Sequence, residues 1–247
     1  MKYLRVVLML ILVVMVVTSM SFARVDKALI INGPHDLRAT GSGGVATGST
    51  GASYALCNYC HIAHKFASDG GLGPNGPAQL LWNHTLSSST AYTAYTSWTQ
   101  QATDLKSLQA TGTDADTTNP SILCMSCHDG TVALNSTYTG AIGAINALPT
   151  TRVINPADAN KTHPVNFTYD ATLASNAGMK VPAGPNGVDV NTGNAVVPLY
   201  AGKMQCSTCH EPHTNSHLLF RNFAAVYTAT NGSWCLYCHS DGTKNPG

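Results

Sequence analysis

The sequence predicts a largely irregular chain with short α-helices around four cysteine-histidine motifs, little β-structure, and a core that its own aliphatic side chains do not fill. Three observations carry that expectation. Beyond the N-terminal run, no segment sustains an apolar period of 3.6 or of 2. Residues 40–53, 68–77, 87–121, 156–161 and 178–193 are rich in Gly, Ser, Thr, Asn and Pro and read as loops. All eight Cys fall into four copies of one spacing. At 247 residues with 10% charged side chains the chain is sized for one or two domains, and it is neither disordered by charge nor a coiled coil. Thirteen Lys plus Arg against twelve Asp plus Glu leave +1, which gives no basic field for nucleic acid.

The first element, 1–23, carries Lys2 and Arg5, an apolar run from Val6 to Val17, and Ser21-Phe22-Ala23 with small residues where a signal peptidase reads. That is the pattern of a secretory signal peptide. The run is too short for the roughly 20 residues of a spanning helix, no later segment is more apolar, and no Cys sits at the cleavage point for a lipid anchor. No membrane span is therefore expected in the mature chain. Export removes two of the thirteen cations and no acid, so the expected mature chain of 224 residues has net charge −1. Little electrostatic repulsion would then oppose self-association.

The four motifs are Cys57-Asn58-Tyr59-Cys60-His61, Cys124-Met125-Ser126-Cys127-His128, Cys206-Ser207-Thr208-Cys209-His210 and Cys235-Leu236-Tyr237-Cys238-His239. Cys-x-x-Cys-His is the attachment signature of c-type haem: two thiols form thioethers to one macrocycle, and the adjacent imidazole reaches the iron from one face. Paired cysteines also suit a zinc ribbon or, in an exported chain, a disulfide framework. Neither calls for His after every pair, and ten His in 247 residues would fall there by chance at odds on the order of a few in a million. Four covalent haems c are expected, with His61, His128, His210 and His239 as proximal ligands. Their faces would supply the missing apolar core as a stack.

Six histidines remain for four distal positions: His35, His64, His84, His163, His213 and His217. Met is the common alternative, but outside the signal peptide and Met125 only Met179 and Met204 are left, so bis-histidine ligation is favoured. His64 cannot face His61 across one iron, because three residues reach at most about 10 Å and trans axial backbones stand farther apart. The same holds for His213 and His210. Each should ligate a neighbouring haem and hold two macrocycles together.

The motif order repeats. The first and third motifs read Cys-x-x-Cys-His-x-x-His; the second and fourth continue as CHDGT and CHSDGT. Each half opens on an upstream histidine, His35 in GPHDL and His163 in THPVNF. Two two-haem modules, 24–145 and 146–247, follow, forming one continuous tetrahaem domain. The distal set is then His35, His64, His163 and His213, with His84 as the replacement and His217 spare. Val165 to Tyr169 is expected to be extended, and Tyr92, Tyr95 and Trp98 are expected as core aromatics.

With GPHDL, CxxCHxxH, LWNHT followed by Tyr-x-x-Tyr, SCHDGT, HPVNF and CSTCHEPH before CLYCH, the mature chain resembles the doubled-CXXCH tetrahaem cytochromes, over nearly its whole length. Within them it is most similar to the extracellular filament, or nanowire, cytochromes of metal-reducing bacteria; His217 departs from their pattern. The resemblance implies a multihaem cytochrome c fold with a continuous haem stack. It implies a helical homopolymer in which one axial histidine crosses the subunit boundary, and His35, near the mature N-terminus, is the candidate for that role. The implied function is long-range electron transport to other electron-transfer proteins or extracellular acceptors such as Fe(III) oxides, at the cell surface or beyond it. The alternatives are a soluble periplasmic electron shuttle and, with least support, a multihaem reductase. A reductase needs an open iron position, and spare histidines outnumber vacancies here.

Overall fold

The computed structural model describes residues 29–38, 56–61, 72–73, 76–77, 82–97, 119–137, 147–184, 187–189, 196–215 and 233–239. The signal segment 1–23, His64, Trp98 and His217 lie outside the described residues. Regular structure among them is short. Helix α1, Ser121–His128, starts after Pro120 and carries the whole second motif. Ile122, Leu123 and Met125 form a buried cluster with Tyr92, against which Trp82, Leu86, Ile154 and Val165 pack. Helix α1 ends at Asp129, whose N–H donates to the Met125 carbonyl, and Gly130 follows with φ 74°. A Cβ there would stand 3.1 Å from Val153 Cγ1. Gly130→Ala is expected to lower unfolding free energy by about 1–2 kcal/mol, because a side chain strains the left-handed backbone. Denaturant unfolding of the purified protein checks this, with haem content unchanged.

In the second half, Asp170 caps helix α2, Ala171–Asn176, by accepting from the Leu173 N–H. Helix α3, Cys206–Cys209, opens on a capping box between Gln205 and Thr208. The strands are two or three residues each: β1 (Leu72–Gly73) with β2 (Gly76–Pro77), β3 (Phe167–Thr168) with β6 (Lys203–Met204), and β4 (Gly187–Asp189) with β5 (Val196–Pro198), all antiparallel. Pairing of Phe167 with Met204 lays 167–169 beside the strand that leads into the third motif. The resulting core of Phe167, Tyr169, Ala174, Val197, Leu199 and Met204 also takes in Tyr237 and Cys238 of the fourth motif.

Pro156–Lys161, read from composition as loop, winds as a 3-10 helix. The reason is local: Asn155 accepts from the Ala157 N–H, and Pro156 is preset for the first turn. Likewise 178–193, also read as loop, contains β4, because β5 pairs with it in register.

Candidate haem site

Each motif is anchored by the element that holds its cysteines. At the first, the Cys60 and His61 N–H groups both donate to the Cys57 carbonyl, and Asn83 clamps the turn through bonds to the Cys60 and Asn58 carbonyls. The fourth repeats the turn, with Cys238 and His239 N–H on the Cys235 carbonyl. There Lys180 N–H holds the Cys238 carbonyl at 2.8 Å.

Motifs two and three are locked to each other by a buried polar network. Ser121 Oγ donates to Gln205 Oε1, Gln205 Nε2 donates to Asn166 Oδ1 at 3.2 Å, and the Cys206 N–H donates to Ser121 Oγ at 2.9 Å. Ser121, Asn166 and Gln205 are fully buried. The network brings the Cys124 and Cys206 thiols into hydrogen-bonded contact, and Cys60 stands close enough to act on both Cys124 and Cys127 electrostatically. Burial pushes the Cys60 and Cys238 thiols up to about 11 and Cys127 higher still, so these three are held as thiols, whereas the hydrogen bond from Cys124 lowers Cys206.

Six of the histidines occur as close pairs. His61 and His213 rings stand 6.1 Å apart, His35 and His128 6.2 Å, and His163 and His239 6.4 Å, centroid to centroid. A metal–nitrogen bond of about 2 Å plus about 1.1 Å from Nε2 to the ring centre places two trans imidazoles about 6.2 Å apart. The spacing fits one iron between each pair. The nitrogens agree: Nδ1 of His35 donates to the Pro212 carbonyl (3.3 Å), that of His128 to Arg152 (3.0 Å) and that of His163 to Pro164 (2.9 Å). Such bonds fix the tautomer and leave Nε2 for a metal. Burial, then the nearby His128, push His35 down to about 4, and burial lowers His128 and His239 too; the neutral imidazole that a metal takes is thereby favoured.

Of the distal candidates, then, His35, His163 and His213 each stand within 6.4 Å of a motif histidine, centroid to centroid, and His64 lies outside the described residues. His35 faces His128 of its own chain. His84, the replacement candidate, is fully buried, with Nδ1 donating to the Thr85 carbonyl at 2.8 Å. Tyr92 is a core aromatic and Tyr95 is half-buried. Around the third motif an open cleft is lined by Met125, Ile154, Val165, Cys209, His210 and His163. Its apolar walls and the Cys206, Cys209 and His210 side chains of the third motif suit a haem face.

Residues 198–244 match the family of the doubled CXXCH motif. No curated protein matches the chain. The match covers the third and fourth motifs and supports a c-type cytochrome-like multihaem protein that binds haem c covalently and carries electrons. Among the described residues no helix is long and apolar enough to cross a membrane.

Sequence reasoning missed several residues that build the site. The Ser121–Gln205–Asn166 network has no sequence signature, since its members lie far apart and each is a common loop residue. Asp129 had one: it follows His128 of the second motif directly in SCHDGT.

Proposed function

We propose that the chain is an exported tetrahaem electron carrier and a subunit of an extracellular cytochrome filament. The observation that carries the electron-transfer part is the set of three imidazole pairs at trans-axial spacing. In this reading His61 pairs with His213, His128 with His35, and His239 with His163. His210 takes His64, with His84 and His217 as replacements. Each haem, when bound, supplies a one-electron couple, and the protein supplies ligation, spacing and insulation.

The chain's own residues make the array continuous. The network between Ser121 and Gln205 holds the second and third attachment sites edge to edge, and Cys60 brings the first to the second. His163 joins the fourth, because it lines the cleft of the third motif while facing His239. Since His213 follows His210 by three residues, one short segment ligates two neighbouring irons.

Polymerisation is supported by the resemblance, by the expected net charge of −1, and by a sheath of only 56 mature residues per haem. Partners would be further copies of the chain, other electron-transfer proteins, and acceptors such as Fe(III) oxides. The second reading, a soluble periplasmic shuttle, is favoured by one observation: His35, the ligand proposed for the adjacent subunit, stands opposite His128 of its own chain.

Imaging the fraction sheared from the outside of expressing cells tests the choice. Helical filaments containing the tetrahaem protein are the expected result. Discrete monomers or dimers confined to the periplasm would make the protein a shuttle.

A further inference from the structure

We propose that in the haem-free chain Cys124 and Cys206, which belong to different motifs, pair as a disulfide that closes the second and third attachment sites until it is reduced. This rests on the reading above in two respects: export brings the chain to where disulfides form, and these cysteines hold haem. Ser121 and Cys124 stand three residues apart in α1, on one face of the helix. That face meets the start of α3, because Ser121 Oγ donates to Gln205 Oε1 and accepts from the Cys206 N–H at 2.9 Å. The Cys124 thiol in turn donates to the Cys206 sulfur.

Pairing within a motif is the alternative, and the helices oppose it. Cys124 and Cys127 both lie inside α1, and Cys206 and Cys209 span α3. Residues three apart on a helix hold their Cβ atoms about 5–6 Å from each other, whereas a disulfide needs about 3.5–4.5 Å. Cys206 is also open to a reagent, since it lines the cleft of the third motif. The bond from Cys124 favours its thiolate, which makes Cys206 the group that attacks first.

The step is thiol–disulfide exchange with an external disulfide. The Cys206 thiolate attacks one sulfur of that disulfide, a mixed disulfide forms, and the first external thiolate leaves. Cys124 then loses its proton and attacks the Cys206 sulfur; the bond to the external group breaks and the second thiolate leaves. Two protein thiols are oxidised by two electrons, one external disulfide is reduced to two thiols, and the protons pass to the leaving groups. Thioether formation consumes the thiols, so the pair removes one attachment cysteine from each of motifs two and three and leaves motifs one and four open. Reduction reopens both, and a chain already carrying four haems no longer responds.

The test uses the full chain after Ala23, produced where no haem is attached, treated with glutathione disulfide, alkylated and mapped by peptide mass. The expected result is one main crosslink joining the peptides of Cys124 and Cys206, with Cys127 and Cys209 alkylated. A crosslink within either motif, or a mixture without preference, would overturn the proposal. In Cys206→Ser, Cys124 should stay alkylated after the same treatment; a crosslink to Cys127 would contradict the separation that α1 imposes. Loading is read separately, in cells that attach haem. Glutathione disulfide added to them should cause the loss of two of the four haems by intact mass, and dithiothreitol should restore them. Four haems under both conditions would overturn the closing of the sites, whereas a reduced chain that takes no haem would overturn the haem reading and leave the crosslink standing.

Discussion

His35→Ala is expected to yield an isolated chain that still carries four covalent haems, one of them converted from low-spin to high-spin. The cysteines and His128 are untouched, so attachment proceeds; only the imidazole 6.2 Å from His128 is removed. A six-coordinate iron then keeps five ligands, and the visible spectrum of that one haem changes accordingly. Because His35 and His128 lie in one chain, the change should appear at any protein concentration. Loss of polymers with an unaltered monomer spectrum would assign His35 to the adjacent subunit instead, the role that the resemblance implies. A fully low-spin spectrum with intact assembly would remove His35 from the ligands altogether.

Gln205→Ala should be the most destabilising single change that touches no haem ligand or attachment cysteine. Gln205 is fully buried, and truncating it leaves the Ser121 hydroxyl hydrogen without its acceptor and Asn166 Oδ1 without its donor, and opens a cavity between α1 and α3. Stranded buried polar groups cost about 1–3 kcal/mol each, so a loss of about 3 kcal/mol is expected. The consequence extends to function: the same network sets the contact between Cys124 and Cys206, so spacing between the second and third haems should loosen. Chemical denaturation measures the first effect, and loss of magnetic coupling between two ferric haems in EPR measures the second. Unchanged stability would mean that the motifs are held together by other contacts.

Much of the candidate site was legible in the sequence because its chemistry is local. Cys-x-x-Cys-His is five consecutive residues, and the spacing is imposed by the haem edge whatever the surrounding fold. The reach argument that separates His213 from His210 needs only backbone dimensions, and in the structure His213 faces His61. Which upstream histidine lies beside which motif was not legible. His35 meets His128 across 93 residues and His163 meets His239 across 76, and neither separation leaves a periodic trace. The fold was legible only as short helices and loops. Helix α1 forms around a motif at which Ile122, Leu123 and Met125 have a face to bury, whereas Pro156–Lys161 depends on one cap from Asn155 that composition does not reveal. The bonds that Asp129 accepts from Ser87 and Tyr92, about forty residues upstream, were not legible either.

The central claim, four covalent haems each held between two histidines, is tested most directly by the intact mass and the EPR spectrum of one sample of the purified protein. The account predicts a mass raised by four haems above the chain beginning after Ala23, and ferric signals that are low-spin throughout. Fewer than four haems, or a high-spin ferric component in the unmodified protein, would contradict it.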